Sequence, residues 1–123
     1  MSKKNPTAAT TASTAHLRFL RIAPRKVRAV VDIVRGEPVE RALATLRYTP
    51  KAAAKPIAML IRSAIANAEQ KANGNIDIDR LFVKTIMVDQ GPTLRRFMAR
   101  AQGRATRINK KTSHVKVELG EMR

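Results

Sequence analysis

An α+β fold is predicted for this chain of 123 residues: three helices packed on a small three-stranded antiparallel sheet, with a long protruding β-hairpin. Apolar residues recur at helical spacing through the middle of the chain, and segments of strand character lie on either side of it. A basic segment without acidic residues separates the last two predicted strands. These observations predict a helical body that carries an extended arm.

The first predicted helix lies between Pro24 and Gly36. Proline suits the first helical position because its missing N–H is not needed there, and glycine is typical of the residue that follows a helix. The basic residues of this segment fall largely off its apolar face, where they can meet solvent or phosphate. The apolar face is a stripe of valines at helical spacing: Val27, Val30, Val31 and Val34.

A second short helix is predicted after Pro38, and the third and longest is predicted between Thr49 and Gly74. Thr49 and Pro50 are the expected N-cap and first position of the third helix, and Pro56 is expected to kink it or delay its start. Its many alanines allow close approach of another backbone, for which a neighbouring helix is favoured over RNA. Both helices are expected to bury one face: Val39, Ala42, Leu43, Leu46, Ile57, Leu60, Ile61, Ala64, Ile65 and Ala68.

The three predicted strands are LRFLRI near Leu17, RLFVKTIMV from Arg80 and HVKVEL from His114. Apolar and polar residues alternate in the last strand, so one of its faces is expected to be buried and the other wet. Residues 1–14 are predicted to form a flexible basic tail, because they lack apolar periodicity. Residues 15–123 are predicted to form a single domain, with the extended hairpin at about 81–119 and its tip at about 94–101.

The charge of the chain indicates a polyanionic partner. The formal net charge is +16, from 25 Lys and Arg residues against 9 Asp and Glu residues. Residues 1–31 carry seven cations and no acid, and residues 90–123 carry nine cations against two acids, whereas the segment between them is nearly balanced. The four aromatic residues are too few for base-stacking platforms, so structured RNA held through phosphates and shape is favoured over a reader of single strands.

The arm is predicted from residues 91–117, which hold eight Lys or Arg residues and no acid. Two extended strands that meet near Ala99 would project about 30 Å, and such an arm cannot fold back without burying unpaired arginines. An exposed basic helix is the alternative, because the cations from Arg96 to Lys111 also recur at helical spacing. Gly91, Pro92 and Gly103 count against the helix.

The residues give little support to an enzyme. The absence of cysteine excludes disulfides, thiolate catalysis and cysteine-based zinc sites. Ser113 and His114 point to opposite faces of a strand and do not form a nucleophile and base pair, and Asp77 and Asp79 are expected to be hydrogen-bonding caps of a turn rather than metal ligands. No catalytic residue, metal, cofactor or membrane insertion is therefore predicted.

Five segments over residues 15–119 resemble, in order and spacing, the bacterial large-subunit ribosomal protein twenty-two family: APRKVRAVVDIVRG, SAIANAE, VDQGPTLRR, RAQGRA and NKKTSHVKV. The resemblance implies a cytoplasmic protein of the large ribosomal subunit, with an α+β body bound to large-subunit rRNA and a hairpin that lines the nascent-peptide exit tunnel. It also implies a part in subunit assembly, neighbouring ribosomal proteins as partners, and nascent peptide and macrolides near the hairpin tip. From the residues alone, the alternative is a nucleoid-type DNA-binding protein with a basic hairpin arm.

The resemblance also implies roles for individual residues. Ala99 stands where the family usually has proline, so the detailed conformation of the tip is expected to differ. The matching tip residues are Leu94, Arg95, Arg96, Phe97, Met98, Ala99 and Arg100. The matching rRNA contacts are Arg18, Arg21, Arg25, Lys26 and Arg28 in the body, and Arg104, Arg107, Lys110, Lys111, Thr112, Ser113, His114 and Lys116 along the stem.

Overall fold

A computed structural model describes residues 11–99, 103 and 105–122 of the chain. The elements in order are β1 (Thr11–Leu20), α1 (Pro24–Val34), α2 (Val39–Arg47), α3 (Ala54–Lys71), a short 3-10 turn (Ile78–Arg80), β2 (Leu81–Gln90), β3 (Leu94–Ala99), β4 (Ala105–Lys110) and β5 (Ser113–Glu121). The strands form an antiparallel three-stranded sheet in the order β1-β5-β2 and a separate two-stranded sheet of β3 and β4. The predicted α+β fold with three helices is confirmed.

The three helices cover one face of the three-stranded sheet. α1 packs on β2, α3 packs on β1 and β5, and α2 contacts both of the other helices. β5 shows the predicted alternation, because Val115, Val117 and Leu119 are buried whereas the residues between them are only half-buried. The valine stripe of α1 is buried as predicted, and its residues meet the inward side chains of β2 and β5 in a single core. The other face of the sheet remains open. No helix of the described residues is long and apolar enough to cross a membrane.

The predicted ends are right for α1 and wrong at the start of α3. α1 begins at Pro24, and Gly36 follows it with a φ of 79°, a conformation that favours glycine. α3 begins at Ala54 rather than at Thr49 and Pro50, because the Thr49 hydroxyl donates to the carbonyl oxygen of Thr45 at 2.7 Å, in the last turn of α2. Pro56 therefore lies in the first turn of α3, where the missing N–H has no intrahelical partner to lose.

β1 begins earlier than the sequence predicts. Residues 11–14 belong to the sheet rather than to the predicted flexible tail, and residues 1–10 of that tail lie outside the described residues. The buried hydroxyl of Ser13 donates to the carbonyl oxygen of Ala64 in α3 at 2.7 Å, and the side-chain amide of Asn67 donates to the carbonyl oxygen of Thr14 at 3.0 Å. α3 therefore has strand β1 as a close neighbour at Ala64, in addition to the helix α2 that packs on it.

β2 lies at an edge of the three-stranded sheet, and α1 covers it there. The Arg28 guanidinium donates to the carbonyl oxygen of Val88 at 3.2 Å, and the Arg35 guanidinium donates to that of Ile86 at 3.0 Å. The loop after α1 exchanges two backbone hydrogen bonds with Val83, at 2.9 and 3.0 Å. α1 is thereby attached to the strand from which the arm departs.

The arm is the two-stranded sheet of β3 and β4, which follow β2 and precede β5 along the chain. Leu94 pairs with Lys110 at one end of this sheet and Ala99 pairs with Ala105 at the other. Each strand has six residues, which corresponds to about 20 Å at about 3.4 Å per residue. Neither β3 nor β4 packs extensively on a helix, so the predicted protruding hairpin is present.

The register of the arm shows where the predicted tip residues lie. Residues 94–99 of the predicted tip at about 94–101 form β3 and pair with β4, and residues 100 and 101 lie outside the described residues. Leu94 lies at the end of the arm nearest the body, and Arg95 and Arg96 follow it in β3 with exposed side chains. The chain is irregular from Gly91 to Thr93, between β2 and β3.

Candidate nucleic-acid interface

A basic cleft forms where the arm meets the body. It has a volume of about 810 Å³ and lies between the start of α1 and the end of β4. No acidic residue lines it, and the polar residues Gln90 and Asn109 complete its wall on the arm side. Six cations line this basic cleft: Arg21, Arg25, Lys26, Arg28, Lys110 and Lys111.

A buried hydrogen bond explains why residues so distant in sequence meet in the basic cleft. The side chain of Ser113 is 0% exposed, and its hydroxyl donates to the carbonyl oxygen of Ile22 at 2.6 Å. Ile22 lies in the segment that joins β1 to α1, and Ser113 opens β5 two residues after Lys111. This bond therefore holds the cations at the start of α1 next to those at the end of β4.

The start of α1 adds positive potential to the basic cleft. The N-cap residue Ala23 has no side chain that can accept a hydrogen bond, and the first turn contains no acid. Most helices favour acidic residues at this end, because the helix dipole places partial positive charge there. Arg25 and Lys26 stand in the first turn instead, so their charges and the dipole repel each other until an anion binds.

The charges of the basic cleft are free to meet a partner. All six of its cations have exposed side chains and take part in none of the ion pairs among the described residues. Arg28, also a predicted rRNA contact, donates to the carbonyl oxygen of Val88 and so holds α1 on β2 as well. A guanidinium has five N–H donors, so Arg28 keeps donors for a partner as well.

Two of the predicted rRNA contacts, Thr112 and Ser113, use their hydroxyls within the chain. Thr112 and Ser113 are both buried, with 4% and 0% of their surface exposed. Thr112 donates its hydroxyl to the carbonyl oxygen of Pro92 at 2.6 Å, and the hydroxyl of Ser113 is used by Ile22. These side chains secure the base of the arm and do not present a hydroxyl to an outside partner.

Three further predicted contacts lie on the open face of the sheet, outside the basic cleft. Arg18 and Lys116 line a shallow groove of about 360 Å³ together with His114 and Asp89. Lys116 forms an ion pair of 3.2 Å with Glu118, so its charge is already partly neutralised. His114 is half-buried and accepts a backbone hydrogen bond. Of the three, Arg18 is the residue with an exposed side chain and no ion pair among the described residues.

The remaining predicted residues lie on the arm. By backbone register, Arg107 stands in β4 opposite Phe97 in β3, and Met98 stands opposite Thr106. Arg100 and Arg104 lie outside the described residues. Apart from Lys110, which lines the basic cleft, the described cations of the arm lie along its two strands, at Arg95, Arg96 and Arg107.

Sequence reasoning missed residues that reach the basic cleft from other segments. Lys51, in the loop between α2 and α3, lines a second depression next to the cleft together with Arg25 and Lys26. Gln90 and Asn109 line the cleft itself. Gln90 carries no charge and Lys51 lies in the nearly balanced middle of the sequence, so neither composition nor periodicity distinguished them.

The acidic and nucleophilic side chains offer no alternative site. Asp77 accepts a hydrogen bond from the backbone N–H of Asp79 at 3.0 Å, which confirms the predicted cap. Within the part of the chain that the structure describes, no three His, Cys, Asp or Glu residues are placed to hold a metal ion. The described surface therefore offers cations arranged for an anionic partner and no comparable set of groups for catalysis.

Comparison with known proteins places this arrangement in a family. The sequence model of the family described as Ribosomal protein L22p/L17e matches residues 15–120. The chain is 62% identical over 109 residues to a protein of Myxococcus xanthus (strain DK1622), a match that covers 89% of this chain and 96% of that protein. It is 65% identical over 120 residues to a protein of Anaeromyxobacter sp. (strain Fw109-5), covering 97% of this chain and 83% of that protein. A protein of Geobacter sulfurreducens is 54% identical over 109 residues, which are 89% of this chain and 96% of that protein.

All three relatives are named large ribosomal subunit protein uL22. The match to the family extends over the body, the arm and the basic cleft between them, and the chain belongs to the Ribosomal protein L22p/L17e family.

Proposed function

We propose that this chain is a structural, non-catalytic constituent of the large subunit of the cytoplasmic bacterial ribosome, and that it binds large-subunit rRNA. Family membership and the names of the relatives support the assignment to the large subunit. The basic cleft is the observation that carries rRNA binding, because six cations converge there without an acid. Neighbouring ribosomal proteins are the expected further partners.

Binding at the basic cleft follows from the chemistry of its groups. The exposed arginines and lysines bind phosphate oxygens, and the start of α1 adds its dipole to their field. Each phosphate that the protein neutralises releases counterions from the RNA, so binding is strong at low salt and weakens steeply as salt rises. Phosphate contacts carry no sequence information, so the shape of the folded rRNA selects the site.

The arm has a second task in this proposal. It extends from the body and lines the nascent-peptide exit tunnel, where nascent chains and macrolides pass or bind near its tip. The exposed side chains of Arg95 and Arg96, and the limited packing of β3 and β4 on the helices, support an arm that is made to be held by surroundings outside this chain. An isolated two-stranded hairpin is marginal in water, so rRNA around the arm would stabilise it and couple its ordering to subunit assembly.

Salt-dependent binding tests the proposal. The full chain is titrated with a transcript of large-subunit rRNA at several salt concentrations, and duplex DNA of matched charge is the competitor. If about 6 to 10 phosphates are neutralised, the affinity falls by about a thousandfold or more between about 50 and 200 mM salt. Equal affinity for the DNA would favour the nucleoid-type alternative, and a nearly flat salt dependence would contradict phosphate binding at the basic cleft.

A further inference from the structure

Phe19 has an unusual combination of conformation and exposure. Its φ is 59°, in the left-handed region that residues other than glycine rarely adopt, and 62% of its surface is exposed. The pairing of β1 with β5 shifts register between Leu17 and Leu20, so the strand bulges at this position. A strained backbone that exposes a large apolar ring lowers the folding stability of the free protein. Such strain is concentrated at functional sites.

His114 holds Phe19 in this conformation. The backbone N–H of Phe19 donates to Nδ1 of His114 at 3.1 Å, and the two rings meet edge to face with centroids 4.9 Å apart. A Cβ atom at Gly91 would lie 3.1 Å from Nε2 of His114, so the glycine leaves room for the imidazole on its other side. Three separate segments therefore fix the exposed ring: the end of β1, the start of β5 and the beginning of the arm.

Charged residues from three strands surround the exposed ring of Phe19. The ring borders the shallow groove on the open face of the sheet, which His16, Leu17, Arg18, Val115 and Lys116 line, with Asp89 as the acid opposite His114. Two residues further along the chain, Arg21 belongs to the basic cleft. A protein partner that buried this ring would need a wider apolar patch around it, whereas an RNA partner needs a ring for a base and cations for its phosphates.

We propose that the Phe19 ring stacks on an unpaired nucleobase of large-subunit rRNA and that His114 is its positioning residue. The inference rests on the proposed function and adds a base contact to a surface that otherwise binds phosphates. It departs from the expectation that the four aromatic residues are too few for base stacking, because a single ring suffices for one base where the backbone holds it exposed. Stacking of a base on an aromatic side chain contributes enough affinity to be measured for one residue.

The test distinguishes the loss of the Phe19 ring from a change in the backbone conformation at this position. Phe19→Asn removes the ring but suits a left-handed conformation, so the melting temperature of the full chain should stay unchanged or rise. Its affinity for the large-subunit rRNA transcript should fall by about fivefold to a hundredfold, with the slope of log affinity against log salt unchanged. Phe19→Tyr, which keeps an aromatic face, should retain the affinity. Arg18→Gln is the contrasting variant, because loss of a phosphate contact reduces the salt slope by about one.

The role of His114 is tested by a double-mutant cycle. His114→Ala should lower rRNA affinity, and the double variant with Phe19→Asn should bind no more weakly than Phe19→Asn alone, because His114 acts through the ring. Equal affinity of Phe19→Asn and the unaltered chain would overturn the inference. The inference would also be overturned if Phe19→Asn kept its rRNA affinity but was poorly incorporated into large subunits, because the ring would then contact a neighbouring protein. If the unaltered chain itself showed no salt-dependent rRNA binding, the proposed function would fail as well.

Discussion

Thr112 donates its hydroxyl to the carbonyl oxygen of Pro92 at 2.6 Å and so ties the two sides of the arm together where they leave the body. The backbone N–H of Gly91 donates to the carbonyl oxygen of Thr112 at 2.9 Å in the same junction. A Cβ atom at Gly91 would lie 2.5 Å from the Thr112 Oγ1 atom, closer than a side chain can approach. Glycine is therefore required at this point by contact, not by its φ angle.

Gly91→Ala is expected to destabilise the free chain by about 1 to 3 kcal/mol, because the added methyl group overpacks the junction and displaces the Thr112 hydroxyl. Urea denaturation of the purified protein measures the effect. Thr112→Ala is the matched partner, since it removes the oxygen atom that the new methyl group meets. The double variant should be more stable than the sum of the single effects predicts, and strict additivity would contradict the contact.

Ser113→Ala is expected to lower the free energy of unfolding by about 1 to 3 kcal/mol, because it leaves the partly buried carbonyl oxygen of Ile22 without its donor. The neighbouring Lys111→Ala is the control, and it should change stability by less than about 0.5 kcal/mol, since its side chain is exposed. If the Ser113 hydroxyl instead served only to contact RNA, both variants would melt like the unaltered chain, and only their rRNA affinities would be reduced.

Arg25 and Arg28 lie on the same helix and line the same cleft, yet their replacements are expected to act differently. Arg25→Gln should leave the stability of the free chain unchanged and reduce the salt slope of rRNA binding by about one. Arg28→Gln should cost the free chain about 1 kcal/mol, because its bond to the Val88 carbonyl is lost or weakened. Thermal melting and salt titration of both variants give the comparison, and identical behaviour would refute the division of roles.

Ile61→Ala is expected to cost about 2 to 5 kcal/mol, since Ile61 is 0% exposed on the face of α3 that meets the sheet. Ile65→Ala should cost less, because this residue is only half-buried and the cavity opens toward solvent. Arg95→Ala, on the arm, should leave the unfolding midpoint of the free protein nearly unchanged. Comparable losses for Ile61→Ala and Arg95→Ala would mean that body and arm are not separate in stability.

Capping residues and apolar periodicity predicted the elements well where the same residues also pack in the core. Pro24 and Gly36 gave the ends of α1, and the alternation after His114 gave the buried face of β5. The start of α3 was missed, because a threonine followed by proline suits a helix start but Thr49 bonds backward to α2. The first residues of β1 were missed because their pairing with β5, more than 90 residues away, leaves no apolar pattern.

The candidate site was predicted by charge but not by shape. The resemblance identified the cations at the start of α1 and at the end of β4, yet nothing local shows that the two groups face one cleft. That convergence depends on the bond between Ser113 and Ile22, a contact between residues 91 positions apart. The same reasoning could not distinguish a hydroxyl offered to RNA from one used within the chain, as at Thr112.

The covering of β2 by α1 has a consequence for the chain before it reaches its partners. An exposed sheet edge invites pairing with another polypeptide and leads to aggregation. Arg28 and Arg35 occupy carbonyl oxygens of β2, and Asn67 of α3 occupies the Thr14 carbonyl of β1 at the opposite edge. Both edge strands therefore have backbone acceptors already engaged by side chains of the same molecule. These bonds leave fewer free backbone acceptors through which unassembled copies could pair edge to edge.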